Sequence, residues 1–153
     1  MPFIAKWPDR IPAGQLCDEL IALEDFMATC AAIIGAELPV DTAEDSFNIL
    51  PYLEGRPSAG KIRDYAVFST FYGNPVIRKD DWVLMPFLER GGPYDKNKSV
   101  VASPDGPQGQ LFNLKNDPGQ TRNVWQSNPK IVAELTRLHA EHSERGRSIG
   151  IER

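Results

Sequence analysis

YAVFSTFYGNPVIRKDDWVLMPFL, residues 65–88, holds three runs of aromatic and branched side chains separated by two tight breaks. Tyr65–Tyr72, Val76–Arg78 and Trp82–Leu88 read as strands, because such side chains pack well on a pleated surface. Gly73-Asn74-Pro75 and Lys79-Asp80-Asp81 read as the turns between them. A parallel crossover needs about a dozen residues or more, and neither break offers them. The stretch therefore predicts an antiparallel meander.

Working outward, residues 89–110 form a polar loop, and Leu111-Phe-Asn-Leu114 reads as a fourth strand. The chain then breaks on Lys115-Asn-Asp-Pro-Gly119. Pro118 and Gly119 fit the centre of a type II turn, in which proline presets φ and glycine accepts the positive φ of the second position. Asn128-Pro129 announces a helix, with asparagine as N-cap and proline in the first turn. Its apolar stripe is Ile131, Val132, Leu135, Leu138 and His142.

Toward the N-terminus, Phe3–Trp7 reads as a strand that starts without a polar lead, so the chain is expected to be part of something longer. Residues 8–14 are turn material. Apolar residues at 20, 23, 27, 30 and 34 mark one face of a helix. Glu24 and Asp25 suit its N-terminus and Gly35 its left-handed end. Residues 36–64, punctuated by Pro and Gly, contain one short apolar patch at 47–53 and no long element.

Composition limits the function. The chain has 153 residues, 41% hydrophobic and 25% charged, enough for one folded domain. A net charge of −4 argues against nucleic acid, which is met by clustered Lys and Arg. No apolar run approaches the ~20 residues of a membrane helix, and no signal peptide is evident. Cys17 and Cys30 stand in no C-x-x-C pattern and are expected to be buried free thiols, with a disulfide between them left open.

Sites of chemistry are scarce. Asp95-Lys-Asn-Lys-Ser-Val100 begins like a calcium loop, but its sixth position is Val100 and its twelfth is Gly106 rather than Glu. Gly91-Gly92-Pro93 lacks the Lys-Ser/Thr of a phosphate loop. His139 and His142, three apart, read as a helix-surface or helix-packing pair without further ligands nearby. Neither cysteine has a local base. The residues by themselves present no active site.

Five stretches together resemble the C-terminal portion of the type I sulfatases, the arylsulfatase-like sulfuric ester hydrolases. Met1-Pro-Phe-Ile-Ala-Lys-Trp-Pro-Asp-Arg-Ile-Pro-Ala-Gly14 is similar to V-P-F-I-x-R-W-P-G-x-I-P-A-G. Residues 21–35 are similar to S-x-x-D-L-x-P-T-L-L-x-x-A-G, with Ala28 in place of Pro. Residues 46–55 resemble G-x-S-L-L-P-L-L-x-G, residues 76–84 A-V-R-x-G-x-W-K-L, and residues 111–123 L-Y-D-L-x-x-D-P-G-E-x-x-N-L.

The resemblance implies an α+β fold: the C-terminal part of the alkaline-phosphatase-like sulfatase fold, with a small four-stranded antiparallel sheet and a C-terminal helix. It places the end of the catalytic domain at residues 1–55 and the C-terminal subdomain at 56–153. The full-length family uses a calcium ion and a formylglycine made from the Cys of a Cys-x-Pro/Ala-Ser/Gly-Arg motif. Neither Cys17 nor Cys30 lies in such a motif, and the family's catalytic and metal residues precede the part matched here. No catalytic or metal residue carries over, and the chain is expected to be inactive alone. The alternative is a stand-alone binding or interaction module derived from the same fold. Loops of the subdomain can reach the substrate rim, which makes Tyr72 and Asn74, within Phe71-Tyr-Gly-Asn74, and the 89–110 loop candidates for substrate contact. Expected partners are a second copy, through an unpaired Phe3–Trp7 edge, or the missing N-terminal half of a sulfatase; nucleic acid and membrane are not expected. Family members are often exported, and the compartment is left open.

Overall fold

The computed structural model describes residues 3–56, 61–88 and 102–148. It separates into two compact units, Met1–Asp64 with Gly146–Arg153, and Tyr65–Arg145.

The 65–145 unit is the antiparallel meander. Strands β1 (Ala66–Ser69), β2 (Pro75–Lys79), β3 (Trp82–Met85) and β4 (Gln110–Asn113) lie in that order in one sheet. Val67 pairs with Ile77, Ile77 with Leu84, and Leu84 with Leu111. Directly opposed residues share a face, so these four form one apolar rung across the sheet. The helix named α3 in chain order, Pro129–Arg145, packs on that rung. Leu135, 1% exposed, joins Ile77, Leu84 and Leu111 in the core, with Ile131, Val132 and Leu138 beside it. Ala66, Val76, Val83 and Phe112 on the other face are buried too. Burial on both faces explains why the strands read as apolar runs rather than as strict alternation. Asp80 turns the β2–β3 hairpin at φ 51°. The carbonyl of Asn128 accepts the N–H of Val132, opening α3 at the Asn-Pro step. Residues 89–101, which hold most of the polar loop and its calcium-like start, lie outside the described residues.

The other unit contains α1 (Asp25–Ile34) and a short α2 (Leu50–Leu53). Gly35 ends α1 in the left-handed region, φ 69°, and the following N–H of Ala36 returns to the carbonyl of Ala31. Phe3–Trp7 is not a strand: the chain there has no ladder partner among the described residues. A β-branched, aromatic run fits a pleated surface, yet it becomes a strand only when a neighbour supplies N–H and C=O groups.

The inward face of α1 also differs from the apolar stripe. Leu23, Met27, Cys30 and Ile34 are exposed, whereas Asp25, Thr29 and Ala31 are buried. Both helix polar residues thus point inward, for a reason found in their partners. The Asp25 carboxylate accepts the N–H of Ala22 at 2.7 Å and of Phe47 at 2.9 Å, and pairs with Arg63 Nη2. Thr29 donates its hydroxyl to the Asp25 carbonyl at 2.6 Å and accepts the N–H of Ile49 at 3.1 Å. Ser46 Oγ accepts the N–H of Ala28 at 2.8 Å. Arg63 is 6% exposed and its guanidinium carbon lies 4.6 Å from the centre of the Phe47 ring. The segment 42–49 has no regular structure of its own, so these side chains take up backbone groups that would otherwise be buried and unpaired.

Candidate functional site

Tyr72 and Asn74, the two candidates for substrate contact, sit on the β1–β2 hairpin, and the local sequence fixes that tip. Thr70 N–H donates to the carbonyl of Asn74 at 2.8 Å, and Gly73 N–H donates to the carbonyl of Thr70 at 3.0 Å. Thr70 Oγ1 accepts the N–H groups of Tyr72 and Asn74, each at 3.3 Å. Gly73 holds φ 82°, a conformation in which a side chain would be strained. The result displays two rings: Phe71, 77% exposed, meets Tyr72 edge-on with centroids 5.3 Å apart. Among the described residues of the 65–145 unit these are the exposed large apolar side chains. The Asn74 side chain is half-buried beside them. Chemically, the tip offers an aromatic surface and an amide within five residues, suited to stacking and hydrogen bonding but not to bond cleavage.

The stretch after β4 is structural. Asn123 Oδ1 accepts the N–H of Leu111 and of Trp125, each at 3.0 Å, and its Nδ2 donates to the carbonyl of Gly109 at 3.0 Å. Val124 N–H donates to the carbonyl of Leu111 at 2.9 Å. One side chain thereby closes the outer edge of β4. A Cβ on Gly109 would come within 2.5 Å of the Met85 carbonyl oxygen and closer still to the Trp125 ring, so glycine is required by close approach.

The turn at Asp117–Gln120 closes through Gln120 N–H to the Asp117 carbonyl at 3.1 Å, but it is not type II. Gly119 lies outside the positive-φ region and Gln120 takes it instead, at φ 52°. The Asp117 side chain causes this curl: it accepts Thr121 Oγ1 at 3.0 Å and the N–H of Arg122 at 2.8 Å, drawing the chain after the turn back over it. Those donors, Arg122 N–H first, hold the Asp117 carboxyl below its ordinary pKa. Gln120→Gly is therefore expected to leave stability unchanged or raise it by up to about 1 kcal/mol, since a left-handed non-glycine residue costs about 1–2 kcal/mol. Gly119→Ala should be tolerated within about 0.5 kcal/mol, as its Cβ meets Thr121 at an ordinary 3.4 Å. Thermal melting of both variants checks the assignment; a large loss at Gly119 alone would restore the type II turn.

The remaining candidates do not converge. Cys17 and Cys30 are free, as expected, but exposed rather than buried. Cys30 rides on the outward face of α1, and Cys17 lies in the irregular segment before it. His142 meets the Tyr65 ring edge-on at 5.9 Å, and Arg145 donates to the Tyr65 hydroxyl at 2.5 Å. This is packing at the end of α3. Among the described residues, no three of His, Cys, Asp and Glu lie together as metal ligands would, and neither cysteine stands in the formylglycine motif. None of the described helices is long and apolar enough to cross a membrane. The most highly connected polar group, Asp25 with Arg63, was not among the expected site residues. Its signal was the D and T of the second resembling stretch, here Asp25 and Thr29.

No family model matches the chain. Individual relatives do. The N-acetylgalactosamine-6-O-sulfatase of Bacteroides thetaiotaomicron is 28% identical over 138 residues, covering 90% of this chain and 26% of that protein. Human steryl-sulfatase is 41% identical over 161 residues, covering 95% of this chain and 27% of that protein. The ulvan-active sulfatase of Formosa agariphila is 29% identical over 157 residues, covering 84% of this chain and 29% of that protein. Among solved structures, one from the study of glycosaminoglycan metabolism by Bacteroides thetaiotaomicron superposes with a TM-score of 0.57 at 27% identity, over 76% of this chain and 24% of that one. The structure of Ps i-CgsB gives 0.62 at 22% identity over 90% and 27%, a likeness of fold. The chain therefore spans about a quarter of the length of these relatives.

Proposed function

From the premise that this chain belongs to the sulfatase family as its C-terminal portion, we propose that it serves a sulfuric ester hydrolase beside the reaction rather than in it. The observation that carries this reading is the pairing of two facts. The match runs along 90–95% of the chain, and among the described residues no three of His, Cys, Asp and Glu lie together as metal ligands would. Sulfate ester hydrolysis needs an activated nucleophile, a cation to offset charge on the sulfuryl oxygens, and an acid for the leaving group. In the full-length family the formylglycine and calcium supply the first two; here Cys17 and Cys30 do not have the sequence setting for the one, and among the described residues the acidic side chains are not grouped for the other.

The role assigned to the chain is to shape the substrate rim through the Phe71–Asn74 tip. Exposed aromatic rings beside an amide suit the apolar face and hydroxyls of a sugar ring, and two of the relatives named above act, by their names, on sulfated carbohydrate. Steryl-sulfatase shows that the same segment also accompanies a different substrate class, so carbohydrate sulfate is the proposed class for this chain on the strength of the tip.

Two measurements test the reading. The purified chain should give no turnover of 4-nitrophenyl sulfate above blank; turnover that survives Cys17→Ala with Cys30→Ala would remove the proposal and favour an undiscovered site. Grafted in place of the matched segment of the Bacteroides thetaiotaomicron sulfatase, the chain should support hydrolysis, and Tyr72→Ala should raise KM about tenfold with little change in kcat, as loss of one stacked contact does. An unchanged KM would take Tyr72 off the rim.

A further inference from the structure

Ala43 holds a left-handed backbone, φ 55°. A Cβ in that region crowds the following carbonyl oxygen, so the conformation persists only where the surroundings impose it. Two other non-glycine residues share it among the described ones. Asp80 is of a type that visits the region readily, and the Asp117 carboxylate curls the chain past Gln120. Alanine has neither a polar side chain nor the freedom of glycine. Ala43 also stands between two successive turns. Thr42 N–H donates to the Pro39 carbonyl at 3.0 Å, and Ser46 N–H donates to the Ala43 carbonyl at 3.0 Å.

The contacts that impose this shape come from 103 residues further along the chain. Gly146, at φ 69°, turns the chain out of α3, and residues 146–148 belong to the same compact unit as residues 1–64. Arg147 pairs with Glu44 through Nη2 and donates through Nη1 to the Val40 carbonyl at 3.3 Å. Ser148 N–H donates to Asp45 Oδ1 at 2.6 Å. The segment is thus gripped on both sides of Ala43. The grip continues inward: the Asp45 carbonyl accepts Arg63 Nη2 at 3.4 Å, and Ser46 Oγ accepts the N–H of Ala28 in the first turn of α1 at 2.8 Å.

We propose that Arg147 and Ser148 form an ionic strap that holds the 39–46 turns in their strained shape and thereby controls how firmly this segment seats the start of α1. When the strap opens, Ala43 relaxes to negative φ and the amides of Ser46 and Ala28 lose their acceptors. Salt loosens the strap, because the attraction between Arg147 and Glu44 is screened as ionic strength rises.

Amide hydrogen exchange, followed by NMR on the whole 153-residue chain, tests this. Arg147→Ala should speed exchange at Ser46 and Ala28 by about tenfold, while Ile33 in α1 and Leu84 in the sheet keep their rates. Sodium chloride at about 1 M should speed Ser46 in the unaltered chain by a smaller factor and leave the Arg147→Ala variant unmoved. Glu44→Arg with Arg147→Glu should restore the original rates. Ala43→Gly isolates the strain: it removes the reason to relax, so Arg147→Ala made in that background should change Ser46 exchange by less than about twofold. Exchange at Ser46 unmoved by Arg147→Ala, or moved equally in the parent and in the Ala43→Gly background, would overturn the proposal. Equal acceleration at Ile33 would overturn it as well, because residues 147 and 148 would then stabilise the whole unit and not this segment.

Discussion

Asp25→Ala is expected to destabilise the 1–64 unit by about 3–5 kcal/mol, the range found when one partner of a buried ion pair is deleted. Asp25 is fully buried and Arg63 nearly so, and the two are in direct contact. Removing the carboxylate strands the guanidinium, whose Nε already has no acceptor, in a site with little water. It also strips acceptors from the N–H groups of Ala22 and Phe47. Glu24 is the other acid near Arg63, at 3.5 Å and half-exposed, and it cannot take over those two amides. Asp25→Asn keeps the shape and an acceptor, so it separates charge from geometry: it should cost less than Asp25→Ala but remain well above about 1 kcal/mol. The pair Asp25→Ala with Arg63→Met should recover part of the loss, because the stranded charge goes with its partner. Urea unfolding followed by circular dichroism measures all three. A loss below about 1 kcal/mol for the alanine variant would mean that the network is not what fixes α1 to the 42–49 segment.

That network marks where sequence reading stops. Elements carried by local chemistry were legible: the turns near Gly73-Asn74-Pro75 and Lys79-Asp80-Asp81 separate the strands, Gly35 ends α1, and Asn128-Pro129 opens α3, although β1 ends at Ser69 and β3 at Met85, each three residues short of the expected Tyr72 and Leu88. The stripe of α3 was legible because its apolar periodicity and its burial coincide on Leu135. In α1 they do not. The periodicity of residues 20, 23, 27, 30 and 34 is real, but burial follows the hydrogen bonds of Asp25 and Thr29 with groups about twenty residues away, which no periodicity reports. Phe3–Trp7 failed as a strand for a similar reason, since pairing is a property of two segments. At Pro118-Gly119 the local rule was sound but the Asp117 carboxylate, two donors further on, moved the positive φ by one residue. Of the candidate site, the hairpin placing Tyr72 and Asn74 was legible from its turn residues, whereas the exposure of Phe71 depends on what covers the sheet and could not be read from the chain.

The second large effect should fall on the sheet unit. Leu135→Ala is expected to cost about 2–5 kcal/mol, the loss of transfer free energy plus the cavity left in a packed core. Leu135 is the one residue of α3 that is fully buried, at 1% exposure, and it rests on Ile77, Leu84 and Leu111, which are each 0% exposed. Around it, Ile131, Val132 and Leu138 are only partly buried, so none can swing into the vacated space without leaving its own contacts. The other ties of the helix are weak by comparison. The Lys79–Glu134 pair joins two half-exposed side chains, and exposed pairs contribute about 0–1 kcal/mol. Arg137–Glu141 is an exposed pair within the helix itself and holds it to nothing. Leu135→Met, which conserves volume, should cost less than about 1.5 kcal/mol. Trp82 and Trp125 border the same core, so their fluorescence reports this unit as denaturant is raised. If the alanine variant shifts that transition by less than about 1 kcal/mol, α3 is held to the sheet by something other than Leu135, and the meander must be stable without the helix that covers it.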